Sequence, residues 1–291
     1  DYAIKFEKEA EEGKYQYMVT DYPGTIGLRF NFINGGTSGL MSNVKIRKAI
    51  SYSIDREEMI DAVYGRYNPA YSYVAPAITF NGSSYRDQVG EIMEDEYNEY
   101  VGDPDKIVAL FQEGLDELGV ETPIEDITLT YLTSGSTTEV QAEREYIQQS
   151  LEETLGLTVE LSVAGDNSLF IADRNEGNYD FFLGGWYSDY NDPLDFLYTN
   201  YTDAYGMSFG GYSNTDYDAL ADQLVGETDM DKRLDIYKQM EQILLLDDCA
   251  FAPIYYATKQ VLLQNWVKDY RTSSFGASAE FIWTYIDGKN Q

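Results

Sequence analysis

From Ile127 to Trp186 the hydrophobic pattern switches repeatedly between two periods, and that order restricts the fold more than any other feature. Ile127, Leu129 and Tyr131 alternate as a strand. Glu139 to Leu155 reads as a helix, with Ile147, Leu151 and Leu155 on one stripe. Leu157, Val159, Leu161 and Val163 alternate again, a short helix follows near Leu169 to Asn175, and Tyr179 to Trp186 reads as a third strand. A repeat of two marks a strand and a repeat near 3.6 marks a helix. The order β-α-β-α-β requires parallel strands joined by right-handed crossovers, which makes the chain α/β with a mostly parallel sheet flanked by helices. Ligands of open α/β sheets collect at the carboxyl ends of strands, so the segment after Trp186 stands out on geometry alone.

The flanks extend this frame. Ile4 to Glu12 is a short charged helix candidate. Tyr15 to Thr20 reads as a strand, Pro23-Gly24 as a turn, and the alternating Ile26, Leu28, Phe30 and Phe32 as a second strand. Val44 to Tyr64 reads as two helical pieces, with Ile46, Ile50 and Ile54 on one face and Asp55 starting a new turn. Asn68 to Asp87, rich in Tyr, Pro, Gly and Ser, reads as an irregular loop. Asp103-Pro104 is an N-cap followed by Pro at the first helical position, and Gly119 is placed to stop that helix. Helices are expected over Asp216 to Gly226 and Asp231 to Leu246, a strand over Ala250 to Ala257, and mixed strand and loop from Val261 to Ile286.

Composition excludes whole classes of chemistry. The chain has no histidine, which removes Ser-His-Asp and Cys-His catalysis, His-ligated zinc and the 2-His-1-carboxylate iron site. With 20 Lys+Arg against 51 Asp+Glu, the net charge of −31 repels phosphates and anionic lipid heads, so no nucleic-acid partner is expected. A hydrophobic fraction of 43% over 291 residues supports a real core despite that charge. Cys249 stands alone in an apolar run and reads as a buried, inert thiol. No apolar stretch approaches the roughly 18–20 residues of a membrane span. The chain opens at Asp1 inside charged, patterned sequence, as expected of a processed or cut chain.

The segment at the end of the third strand carries the candidate chemistry: Gly184-Gly185-Trp186-Tyr187-Ser188-Asp189-Tyr190-Asn191-Asp192-Pro193. Paired glycines let another backbone approach closely. Trp186, Tyr187 and Tyr190 offer flat faces with polar handles, and Asp189 offers a carboxylate for a cationic amine. Asp192 and Pro193 are fully explained as a helix start. Asp189-x-Asn191 opens like a calcium loop, but Pro193 takes the third ligand's place and the sixth-position Gly is missing. The acidic run Glu91, Glu94, Asp95, Glu96 and Glu99 reads as a solvated face. No metal or cofactor is expected. From another class, an acidic glycoside hydrolase needs only paired carboxylates, for which Asp189 and Asp192 are the nearest candidates, although no carboxylate of the chain sits in an obviously apolar setting of the kind such an acid needs. The 27 tyrosines suit a wet cleft that takes polar, varied ligands.

Five segments in order resemble the extracytoplasmic oligopeptide- and dipeptide-binding proteins, the solute-binding subunits of ABC importers. They are Val44 to Arg56; Pro69 to Tyr73; Tyr179-Asp180 through Gly185-Trp186, Asp189-Tyr190 and Pro193; Asp231 to Tyr237; and Ala252 to Tyr256. The resemblance implies a periplasmic-binding-protein-like lobe that closes jaw-like on a second one. It divides the chain into a remnant of the first lobe and hinge (1–27), a complete ligand-binding lobe (28–256) and a return into the first lobe (257–291). It also implies a peptide ligand, with an oligosaccharide, a metal chelate or a signalling peptide as the alternatives within the family, a membrane permease as partner, no catalysis, a monomer, and an exported, lipid-anchored parent. In oligopeptide-binding relatives the aspartate matching Asp189 pairs with the peptide's α-amine, and residues matching Gly185, Trp186 and Tyr187 run beside its main chain. Arg174 matches an arginine near the peptide's carboxyl end. A second such arginine falls on Leu183 here, which leaves the fixing of the ligand carboxylate open.

Overall fold

The computed structural model describes residues 2–202, 209–275 and 279–289. Parts of the second and third predicted units, 203–208, 276–278 and 290–291, lie outside the described residues.

A terminal helix α1 (Tyr2–Glu11) leads into β1 (Gln16–Phe30), a single strand of 15 residues. The turn expected at Pro23-Gly24 does not form. Pro23 can stay in a strand because its carbonyl accepts Ser188 N–H at 2.7 Å, and a register shift between Asp21 and Thr25 absorbs its missing N–H. Next come α2 (Val44–Tyr52) and α3 (Arg56–Met59), which continues as a wider helical turn over Ile60–Tyr64. Asn43 and Asp55 cap the two through their side chains, as Asp/Asn does at N-caps.

Short strands β2 (Asn68–Pro69), β3 (Thr79–Phe80) and β4 (Ser83–Ser84) precede α4 (Tyr85–Val89) and α5 (Glu94–Tyr100). On the acidic run, Glu94, Asp95 and Glu99 are exposed as expected. Glu91 and Glu96 are not merely solvated: Glu91 accepts the Tyr256 hydroxyl, and Glu96 accepts Lys48 and Tyr52. Helix α6 (Pro104–Leu118) is capped by Asp103 and stopped by a left-handed Gly119.

The predicted β-α-β-α-β unit follows: β5 (Thr128–Ser134), α7 (Thr138–Leu155), β6 (Thr158–Ala164), α8 (Asn167–Glu176) and β7 (Phe181–Tyr187). After it come α9 (Leu194–Leu197), α10 (Thr215–Gln223), α11 (Met230–Gln242), β8 (Phe251–Leu263), β9 (Val267–Lys268) and β10 (Tyr285–Ile286).

The main sheet has the order β2-β8-β1-β7-β5-β6. Only β5–β6 and β5–β7 pair parallel; β1–β7, β1–β8 and β2–β8 are antiparallel. The sheet is therefore mixed, where a mostly parallel one was expected. Strands distant in sequence, β1 and β8, insert beside β7, and periodicity carries no information on strand direction. Gln16–Asp21 pair with Thr258–Leu263 alone, so a two-stranded ribbon extends beyond the main sheet.

The core splits across the sheet. Leu28, Phe30, Leu129 and Phe181 pack with Ile46 and Ile50 of α2, Phe111 of α6 and Ile147 of α7. On the other side Phe251 and Tyr256 pack with Phe196, Tyr217, Tyr237 and Leu244. The stretch read as an irregular loop is part of this second core: Ala70, Tyr73, Val74, Ala75 and Ile78 are fully buried. Glu241 of α11 organises it, accepting the N–H groups of Tyr73 and Val74, the Tyr85 hydroxyl and Arg86. Cys249 is buried, and burial pushes its thiol up to about 11, as expected of an inert side chain.

Candidate functional site

Strand β7 is bonded along one edge and open along part of the other. Its whole length pairs with Gly24–Phe30 of β1. On the opposite edge β5 meets it only at Phe181 and Phe182, and then diverges toward β6. Among the described residues no strand covers the edge from Leu183 to Tyr187. Asn31 N–H donates to the Asp180 carbonyl and Ser188 N–H to the Pro23 carbonyl. Bonded residues alternate along an antiparallel strand, so even-numbered residues of β7 face β1. Leu183, Gly185 and Tyr187 therefore turn their N–H and C=O groups toward the open edge.

Glycine is required at 185. A Cβ there would fall 1.9 Å from the Thr25 carbonyl oxygen, so no other residue lets β7 lie this close to β1. Gly24 plays the matching part across the pair, because a Cβ on it would stand 2.3 Å from the Tyr187 ring. That ring lies over Gly24 beside Tyr22 (centroids 5.7 Å apart) and leaves 48% of Tyr187 exposed.

The turn after β7 is held by a buried carboxylate. Asp195, in α9, accepts the Trp186 indole N–H at 2.9 Å and the Asp189 backbone N–H at 2.8 Å, both on Oδ2. This fixes the half-buried Trp186 and aims the Asp189 side chain outward. Asp189 is exposed, and its carboxylate has no ion pair or hydrogen bond among the described residues. Tyr190 stands beside it, 46% exposed, its carbonyl accepting the Ser188 hydroxyl. Asp192 serves the helix start, accepting Leu194 N–H and the Tyr237 hydroxyl. Its carboxylate is thus occupied structurally and forms no facing pair with Asp189.

Gly185, Trp186, Tyr187, Asp189 and Tyr190 thus follow one another along a ledge, an open strand edge leading to a free carboxylate, with Trp186 turned to the second core and Tyr187, its strand neighbour, to the opposite face. Residues 3–208 of the chain match the family model for bacterial extracellular solute-binding proteins, family 5 (middle). The chain belongs to that family. This solute-binding protein is 31% identical over 237 residues to the oligopeptide-binding protein OppA of Bacillus subtilis (strain 168), covering 79% of this chain and 39% of that one. It is 30% identical over 249 residues to the dipeptide-binding protein DppE of the same organism, covering 85% and 42%. It spans about two-fifths of the length of those two relatives. Among solved structures it superposes on Listeria monocytogenes OppA bound to peptide with TM-score 0.75 at 29% identity, covering 97% of this chain and 52% of that one. The substrate-binding domain of an oligopeptide ABC transporter from Bacillus anthracis str. Ames, at TM-score 0.78 and 23% identity over 96% of this chain and 52% of that one, shares the fold.

One predicted residue of this solute-binding protein, expected near the carboxyl end of a peptide, lies away from the Asp189 end of β7. Arg174 lies in the last turn of α8, which runs back along the sheet, and its charge acts on Tyr179 just before β7 begins. A strand of seven residues separates it from Tyr187, roughly 20 Å at 3.3 Å per residue. At Phe181 and Phe182, the end nearer Arg174, that edge is also filled by β5.

Two features of the site escaped the sequence reading. Asp195 is one; the only signal was its place two residues after Pro193. The other is a tyrosine cluster beside the ledge. Tyr67 and Tyr255 stack with centroids 4.4 Å apart, and Tyr64 lies 4.9 Å from each. Tyr64 donates its hydroxyl to Glu143 of α7. Burial raises the Tyr187 hydroxyl above its ordinary pKa; the neighbouring Tyr67 and Tyr22 hydroxyls and the Glu143 carboxylate disfavour its ionisation further and Arg66 opposes them, which puts the cluster next to the ledge. Among the described residues no group of three acidic or cysteine side chains is placed to hold a metal ion.

Proposed function

We propose that this chain is the ligand-binding lobe of a peptide-binding protein that captures peptides outside the cytoplasmic membrane and presents them to a membrane ABC permease, without catalysis. The observation that carries the reading is the open edge of β7 ending at a free carboxylate. An extended peptide adds to such an edge as one more strand, bonding main chain to main chain at Leu183, Gly185 and Tyr187. Main chain is common to all peptides, so these bonds give affinity with little choice of sequence. Asp189 then takes the peptide's α-amine, in a charge-assisted bond worth about 1.5–3 kcal/mol, with Trp186 and Tyr190 flanking it. The names of the Bacillus relatives and the peptide-bound Listeria structure support this reading.

The same proposal divides the chain at 1–27, 28–256 and 257–291, with the ribbon of Gln16–Asp21 and Thr258–Leu263 as the connection to a second lobe. It makes the full-length protein a lipid-anchored monomer. The test is calorimetric titration of the full-length protein with peptides and with their N-acetylated forms. Free peptides bind more tightly, and Asp189→Ala weakens their binding by about 2–5 kcal/mol, since the amine stays desolvated without a partner. Equal affinity for both forms removes Asp189 from this role.

A further inference from the structure

Where β5 and β7 part, a cavity of about 160 Å³ opens beside the free edge. Its lining includes Tyr131, Thr133, Glu143, Phe170 and Leu183. Leu183 is the first residue of that edge, so the cavity adjoins the place where an added strand would lie. Phe170 and Leu183 give it apolar walls. Tyr131 is wholly buried, and its hydroxyl has no hydrogen-bond partner of ordinary geometry among the described residues, the Thr133 side chain being a polar neighbour that acts on it. Buried polar groups are normally satisfied, so an orphan at a cavity wall points to a missing guest.

Glu143 supplies the charge. It receives the Tyr64 hydroxyl but forms no ion pair among the described residues. The cations nearby are committed elsewhere. Arg66 bonds Glu139 at 2.6 Å and the Tyr67 hydroxyl at 3.0 Å, and Arg144 reaches the Gly135 carbonyl at 3.4 Å. Glu143 is half-buried, and a carboxylate partly withdrawn from water and lacking a cation is costly unless a counter-charge arrives.

We propose that this cavity is a subsite for a cationic side chain of the bound peptide, lysine or arginine, with Glu143 as its counter-ion and Tyr131 as a second polar contact. The inference rests on the peptide-binding reading of the β7 edge. The apolar walls take the methylene stem and the carboxylate takes the head, the division that long basic side chains favour. Burial pushes the Glu143 carboxyl up to about 7, Glu139 adds to the rise, and the Tyr64 hydroxyl opposes it. An arriving cation would hold the carboxylate in its charged form.

Leu183 lies four residues before Tyr187, the end of β7, roughly 13 Å along the strand. A peptide with its amine at Asp189, just past that end, therefore brings a residue beyond its second within reach of the cavity through a long side chain. The test is calorimetry on the full-length protein with pentaalanine and variants carrying lysine, norleucine or glutamate at each position in turn. Lysine at one position beyond the second is expected to tighten binding about tenfold over alanine, with norleucine giving little of that gain and glutamate weakening binding. Glu143→Gln is expected to abolish the lysine advantage and leave pentaalanine within about twofold. If pentaalanine binds and lysine gives no advantage beyond the second position, or norleucine equals lysine, or the advantage survives Glu143→Gln, the subsite is refuted while the β7 docking edge stands. If no free-amine peptide binds, the docking edge fails and the subsite with it.

Discussion

Asp195 makes no contact with solvent-facing ligand space, yet it sets where Asp189 points. Replacing it by alanine leaves two donors, the Trp186 indole N–H and the Asp189 backbone N–H, that share its Oδ2 at 2.9 and 2.8 Å. A donor stranded in the interior costs about 1–3 kcal/mol. Trp186 is half-buried and cannot readily recruit water, whereas the Asp189 N–H stands on an exposed turn and can. The Trp186 bond therefore carries most of the loss, and Asp195→Ala is expected to destabilise the fold by about 2–4 kcal/mol. Asp195→Asn retains an oxygen in the same place and loses only charge assistance, for about 1 kcal/mol. Urea denaturation followed by tryptophan fluorescence reads both, with the midpoint falling at constant slope. In the variant that still folds, affinity for free peptides falls more than affinity for N-acetylated ones, because the loosened turn misplaces the Asp189 carboxylate. A loss under about 0.5 kcal/mol for alanine, or equal losses for alanine and asparagine, would refute this role for the two hydrogen bonds.

Two further expectations concern the buried charges. Glu241 is fully buried, pairs with Arg86 at 2.5 Å and accepts three further donors, so Glu241→Ala strands a cation and costs about 3–5 kcal/mol, read as the urea midpoint; a loss below about 1 kcal/mol would contradict the network. Glu143 has a folded pKa raised by burial from 4.5 to about 7, so folding favours its neutral form. That contribution is full below pH 4.5 and is lost as pH rises through 7, a swing of up to roughly 3 kcal/mol at about 1.4 kcal/mol per unit. Glu143→Gln removes the titration, so its melting temperature relative to the native chain should climb between pH 5 and pH 8; a constant difference would show that Glu143 is not desolvated.

The parts of this fold that are legible in sequence are those decided within a few residues. The alternation of Leu157 to Val163, the Ile147-Leu151-Leu155 stripe, and the caps at Asp55 and Asp103 with Gly119 depend on local geometry, and each element forms where its pattern places it. What pairs with what is not local. Pro23-Gly24 has the composition of a turn, but β7 and β8 on either side of β1 hold it extended. Asn68 to Asp87 has the composition of a surface loop, but Glu241, more than 150 residues away, satisfies its backbone and lets it be buried.

The same distinction governs the site. Gly185, Trp186 and Asp189 lie within five residues of one another, so their clustering at a strand end is visible in the chain itself. Asp195 and Glu143 are two among 51 acidic residues, and nothing nearby in the chain distinguishes them. Their chemistry arises from what the fold removes: water around Asp195, and both water and a cation around Glu143. Arg174, which the resemblance puts near a peptide's carboxyl end and not its amine, lies in the last turn of α8, toward the opposite end of β7 from Asp189. The stretch of β7 that remains open, from Leu183 to Tyr187, therefore bounds what a peptide could bond on this edge, with Asp189 beyond one end of it and the cavity of Glu143 beside the other.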